Sequence, residues 1–400
     1  MSTIQHRGSI LGTLRRVASG ALPLAILFFL PAILATQSAR AQSFKVLYSF
    51  TNGTDGGQPY ASLVRDTAGN LYGTTAVGGA SNFGTVFKVD KTGKETVLYS
   101  FSGGADGANP WAGLVWGPTG HLYGTTEAGG TSGVGTVFKI SKTGKKTLLY
   151  NFAGSGGDGA YPFSCLVWDA TGNLYGTTYK GGASGNGTVF RLAKTGKLTV
   201  LYSFKGAADG ENPYAGVVLD PAGNMYGTTF GAFGIDYGTV FKLNTAHKEK
   251  VLHAFTGGAD GGYSYFGGLV RDAAGNLYGT TSFGGAHQYF GTIFKVNKAG
   301  KQTVLYSFTG GADGGQPNAS VIRDSAGNLY GTTIGGGASG HGTIFKFDKT
   351  GKETVLYSFT GGADAAAPDA NLMRDAAGNL YGTSIAGGTS GGGTVFKLTP

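Results

Sequence analysis

The tetrapeptide Tyr-Gly-Thr-Thr/Ser returns seven times, with tyrosines at Tyr72, Tyr123, Tyr175, Tyr226, Tyr278, Tyr330 and Tyr381, always 51 or 52 residues apart. A period that steady means one supersecondary unit repeated seven times, and it constrains the fold more than any other property of the chain. Four hundred residues would ordinarily suggest several domains, but one array of repeats uses nearly all of them. Glycine, at 76 residues, is far above the usual share of about 7%. It has no collagen period and is mixed with Val, Leu, Phe, Tyr and Thr, as in short strands joined by tight turns.

Residues 1–41 stand outside the period. Arg7, Arg15 and Arg16 precede an apolar run from Ala21 to Ala35, and Ala39-Arg40-Ala41 offers a small-x-small cleavage site before Gln42. The pattern predicts a cleavable signal peptide. The apolar run, interrupted by Pro23 and Pro31, is shorter than the ~20 residues that a spanning helix needs, so no stable membrane span is expected after cleavage. Arg15-Arg16 leaves the general and twin-arginine export routes both open. Four of the 31 basic residues lie in this segment and no acid does, which leaves 27 against 22, a net charge of +5. That excess is too small to predict nucleic-acid binding. Cys165 is the only cysteine, so stability is expected to rest on packing rather than disulfides.

Each period holds four strand-like runs, in the first Ala61 to Asp66, Asn70 to Thr75, Gly84 to Val89 and Thr96 to Phe101. Four strands in about 50 residues is the size of a propeller blade, and seven blades lies within the known range. The run VLYSF also occurs at Val46 to Phe50, before the first complete blade, and none follows the last GTVFK at Gly393 to Lys397. The chain is therefore expected to be all-β: a seven-bladed β-propeller of residues 42–400, four antiparallel strands per blade, with Phe44 to Phe50 completing the last blade.

Tight turns such as Asp66 to Asn70 and Lys91 to Lys94 fall on one face of the disc. The opposite face receives the longer second-to-third loops and the crossovers between blades, the usual place for binding. The motifs DxxGNLYGTT, GGxxxxGTVFK and TVLYSFxGGxDGxxP resemble the Gloeo/Verruco-type ("GloVer") tandem repeat of exported bacterial proteins over roughly Phe44 to Leu398. The resemblance implies an extracellular repeat protein and brings no activity with it. Members often carry a C-terminal surface anchor, and none is expected after the strand that ends at Leu398.

The crossover aspartates Asp55, Asp106, Asp158, Asp209, Asp260, Asp313 and Asp364 recur because the backbone path recurs. Each loop offers one carboxylate, whereas calcium needs 6–8 oxygens around one point, so a turn role is expected. The informative position opens the innermost strand: Tyr60, Trp111, Phe163, Tyr214 and Phe266 in blades one to five, then Asn318 and Asp369. Five aromatic and two polar groups at the mouth of the central channel would suit stacking on a sugar and bonding to its hydroxyls; the competing expectation is that the rings wedge between blades as core.

His287 and His341, in the loops of blades five and six, are weak metal candidates, because a metal site wants three or four ligands. His121, His247 and His253 have no partner in sequence. Lys91, Lys94, Lys142, Lys145, Lys146, Lys194 and Lys197 are read as solvated turn residues. No nucleophile elbow, HExxH, CxxC or phosphate loop is present, so no catalytic residue and no cofactor is assigned. These observations favour a non-enzymatic binding scaffold, extracellular or periplasmic, whose partner is a glycan or an extracellular protein. The alternative is a propeller enzyme of lyase or lactonase type using His287, His341, Glu127 or Asp369.

Overall fold

The computed structural model describes residues 42–154, 157–266 and 268–400. The signal-peptide assignment to residues 1–41 lies outside them. Among the described residues are twenty-eight strands in seven four-stranded antiparallel sheets, and no helix is long and apolar enough to cross a membrane. The first blade consists of Val64–Arg65, Leu71–Thr75, Thr85–Val89 and Glu95–Ser100. In the last blade the order is Met373–Arg374, Leu380–Ser384, Thr394–Thr399 and then the N-terminal strand Ser43–Ser49. That strand runs antiparallel to its neighbour from Ser43 opposite Thr399 to Ser49 opposite Thr394. The ring closes as expected, with a borrowed outer strand.

The structure gives each letter of Tyr-Gly-Thr-Thr a task. The Tyr72 hydroxyl donates to Asp66 of the tight turn at 3.0 Å, and Tyr175, Tyr226, Tyr278, Tyr330 and Tyr381 bond their own turn aspartates in the same way. Gly73 passes under a ring: a Cβ there would sit 2.7 Å from Phe87 Cζ and 3.0 Å from Leu63 Cδ2. The first threonine reaches the next blade, as when Thr74 Oγ1 donates to Ala112 O at 3.0 Å. Thr383 does the same to Ala61 O at 3.1 Å across the closure. The second pairs with a third-strand hydroxyl, Thr75 with Thr85 at 2.9 Å. The motif therefore joins turn, sheet and seam in four residues. Phe87 is fully buried and has nowhere to retreat, so Gly73→Ala is expected to lose about 1–3 kcal/mol of stability, read as a lower thermal or denaturant midpoint.

Seven hydrophobic clusters sit between neighbouring blades, each joining the outer and third strands of one to the strands of the next; Phe101, Leu114 and Phe138 share one. Two details depart from the expected strands. The innermost strand is only two residues long, because near the axis Ala61 O is taken by Thr383 of the neighbouring blade rather than by a sheet partner. Each outer strand carries a bulge: Val86 faces Tyr99 but Phe87 faces Val97, which leaves Leu98 as the extra residue and interrupts simple alternation.

The crossover aspartates fold their own loops. Asp106 accepts from Ser102 N at 3.0 Å and from the Tyr99 hydroxyl at 2.9 Å. Asp260 takes His253 Nε2 at 3.0 Å, where the other six outer strands supply tyrosine. The lysines are not one solvated set. Lys142 lies 3.8 Å from Asp66 and over the Trp116 ring. Lys146 is half-buried in the outer strand Lys146–Asn151, and its Nζ donates to Asp106 O of the preceding crossover. Its place at a seam, not in a turn, corrects the sequence-based expectation.

Candidate functional site

The channel mouth is built by one backbone device used seven times. Gln58, Asn109, Tyr161, Asn212, Tyr263, Gln316 and Ala367 all have φ between 49° and 58°, a left-handed conformation that non-glycine side chains rarely adopt. Each donates its N–H to a loop carbonyl of the preceding blade: Gln58 to Gly392 at 2.8 Å, Asn109 to Phe83 at 2.9 Å, Ala367 to His341 at 3.0 Å. Each carbonyl in turn accepts the N–H of the residue after Tyr-Gly-Thr-Thr/Ser, such as Glu127 on Asn109 at 3.1 Å and Ser282 on Tyr263 at 3.0 Å. Two variable positions per blade are thereby held around the mouth.

All seven candidate residues, Tyr60, Trp111, Phe163, Tyr214, Phe266, Asn318 and Asp369, line one cavity of about 500 Å³. Six of them, without Asn318, also line a narrower stretch of about 210 Å³ below it. The five rings form a collar with centroid separations of 4.1 Å for Tyr60–Trp111, 6.1 Å for Trp111–Phe163 and 5.2 Å for Phe163–Tyr214. Tyr214–Phe266 at 5.8 Å and Phe266–Tyr60 at 6.4 Å complete the circuit. These half-buried rings belong to none of the seven interblade clusters. They meet one another around the axis, so the expectation that they wedge between blades does not hold.

Asp369 is 5% exposed, and its Oδ1 has no hydrogen-bond partner. Burial pushes its carboxyl up to about 7, against the pull of the Asn318 amide. Burial also raises Glu127; the Trp111 indole works the other way. Trp111 Nε1 is buried near that carboxyl without a well-formed hydrogen bond. Burial first, and then the Asp369 charge, raise the hydroxyls of Tyr60 and Tyr265. Two carboxyls thus face a collar of rings, and among the described residues no lysine or arginine lines either stretch.

Sequence reasoning overlooked Tyr265. Blade five has Ser264 where the other blades have proline, and one more residue between Asp260 and Leu269 than blade one has between Asp55 and Leu63. That insertion brings a second ring to the mouth beside Phe266, 5.6 Å away. From there the rings continue outward, Tyr265 to Phe230 at 4.8 Å, Phe230 to Tyr263 at 4.9 Å and Tyr263 to Phe233 at 4.8 Å, the last stacked within 6°. Phe233, in the blade-four loop that most departs from the repeat, is 70% exposed.

His287 and His341 are exposed and line neither stretch. His341 covers Gly361 as Phe290 covers Gly310 in the previous blade, so it is a seam residue rather than the counterpart of His287. Among the described residues no group of three or more His, Cys, Asp or Glu could hold a metal.

The Gloeobacter/Verrucomicrobia repeat family matches residues 5–236 and 216–400. The chain belongs to that family. No curated protein matches it. Among solved structures it is similar to an extracellular domain assigned to a hybrid two component system of B. thetaiotaomicron, with TM-score 0.57 and 14% identity over 89% of this chain and 41% of that one. This chain thus spans about two fifths of that structure's length. A second extracellular domain, assigned to a one component system of the same organism, gives TM-score 0.50 and 10% identity over 83% and 37% of the two chains. A structure assigned as a 6-phosphogluconolactonase from Bacteroides uniformis gives 0.51 and 20% over 78% and 88%. At these identities the likeness is one of fold. The Gloeobacter/Verrucomicrobia repeat supplies the frame, and its seven copies differ in the residues that line the channel mouth.

Proposed function

We propose that the protein is an exported, non-enzymatic propeller that binds a glycan through its long-loop face, with the channel mouth as the site. The observation that carries this reading is the closed collar of five aromatic rings beside Asn318 and Asp369 around one cavity of about 500 Å³. Sugar rings present apolar C–H faces that stack on aromatics and hydroxyls that need placed polar partners, and the collar supplies both. Export is supported by the composition of residues 1–41 and by the extracellular origin of two solved structures that share the fold. The lyase or lactonase alternative calls on His287 and His341, which stand away from the cavity that holds Asp369 and Glu127.

A glycan-array screen of the purified protein beside Trp111→Ala tests the proposal. Trp111 touches both Tyr60 and Phe163 in the collar, so its loss is expected to weaken binding by at least about 30-fold, as for a central aromatic hot spot. No binding by the wild-type protein, or equal binding by the variant, would remove the mouth as a glycan site.

A further inference from the structure

We infer that the mouth selects a sugar unit bearing a free, protonated amine over its neutral or N-acetylated counterpart. This rests on the glycan reading and names the ligand class for the same site. Among the described residues the lining offers two carboxyls, Asp369 and Glu127, and no cationic side chain. Asp369 is the sharper of the two. It lines both stretches of the channel, is 5% exposed, and its Oδ1 has no partner. A buried carboxylate oxygen left unpaired costs free energy that a donor from the ligand would recover, and an ammonium donor recovers more than a hydroxyl because it also neutralises the charge.

The rings favour the same class. Trp111 and Phe266 lie nearly parallel, 14° apart with centroids separated by 6.5 Å, and Tyr60 borders both. Aromatic faces attract cations electrostatically, more strongly when water is excluded. The one lysine of the second-to-third loops exerts no resolved pull on Asp369. Lys180 stands over the Tyr179 ring at 4.8 Å, and its charge acts on Glu211, which also feels Asp236. A bare divalent ion is a poorer occupant, since it needs six or more oxygens and the collar is largely carbon.

The test is calorimetric titration of the purified protein with a glucosamine oligosaccharide and with the N-acetylglucosamine oligosaccharide of equal length. The amine form is expected to bind at least tenfold tighter. Asp369→Asn is nearly isosteric and should erase that preference while keeping the residual affinity of the rings; Glu127→Gln should reduce it less. Melting curves of both variants establish that they remain folded. If Asp369→Asn does not fold, Glu127→Gln alone decides: an unreduced preference in that variant overturns the inference. Equal binding of the two oligosaccharides, or a preference that survives Asp369→Asn, overturns it too and leaves glycan binding standing. If neither oligosaccharide binds and the array is blank, both fall together.

Discussion

Deleting residues 42–50 is expected to abolish cooperative folding, although the deletion removes no complete blade. The lost strand pairs along its whole length with Thr394–Thr399 and contributes to two seams at once. Phe44 stacks on Tyr357 at 3.9 Å and touches Phe359 and Phe396. Phe50 is fully buried with Leu63, Leu71 and Phe87, on the first-blade side of the closure. Burying side chains of this kind is worth about 1.5–3 kcal/mol each. Phe50 is buried completely and Phe44, Leu47 and Tyr48 in part, so together they contribute on the order of 5 kcal/mol, comparable with the lower end of the roughly 5–15 kcal/mol that holds a typical domain together. The last blade would also present a bare sheet edge, a template for aggregation. Moving the strand to follow Pro400, joined by the Lys-Thr-Gly-Lys turn that serves blade one, should restore the melting transition. A truncated chain that melts within a few degrees of the intact one would refute the closure argument.

How much was legible in the sequence follows from what each residue must satisfy alone and what it satisfies collectively. The blade count and the borrowed strand could be read because every copy meets the same local demands: Tyr72 on its turn aspartate, Gly73 beneath Phe87, Thr74 on the next blade. The seven mouth residues could be picked out because they share one slot while changing chemistry. The shortness of the first strand was hidden, since it results from seven segments converging on an axis. Tyr265 was hidden by the one-residue insertion: counted forward from Asp260 it holds the mouth slot, but counted back from Leu269 the slot falls on Phe266. The unpaired Oδ1 of Asp369 was hidden as well, because its burial is made by several blades rather than by neighbours in the chain. The histidines misled for the opposite reason: adjacency of blades five and six says nothing about which way a loop faces.

The same slot logic exposes a second strong effect, in the dependence of stability on pH. In blades two and five the first residue of the outer strand reaches back to the preceding crossover. Gln302 Nε2 donates to Asp260 O at 3.1 Å, and Lys146 bonds Asp106 O in the same manner. Glu95, Glu249 and Glu353 occupy that slot elsewhere, each with a buried Oε1 that has no partner. Burial, and then the charges of Asp55, Asp209 and Asp313, push the three carboxyls up to about 7. Their folded pKa lies above the unfolded value of 4.5, so the folded chain holds the proton more tightly. That stabilisation is complete below the unfolded value and is lost as pH rises through 7. The turn aspartates act in the opposite sense. Asp66, Asp220, Asp272, Asp324 and Asp375 are lowered; burial opposes that shift, and the Asn hydrogen bonds that outweigh it are followed by those of the tyrosines. Their contribution is present above the ordinary aspartate pKa and falls away in acid. Stability is therefore expected to peak near pH 5. Because the glutamates are half exposed, solvent screening cuts each contribution to about 1 kcal/mol. The triple replacement of Glu95, Glu249 and Glu353 by glutamine supplies the donor at every pH. It should melt with the wild type near pH 5 and several degrees above it at pH 8. An offset between the two melting curves that stays constant across that range would mean that the three carboxyls do not titrate at the seams.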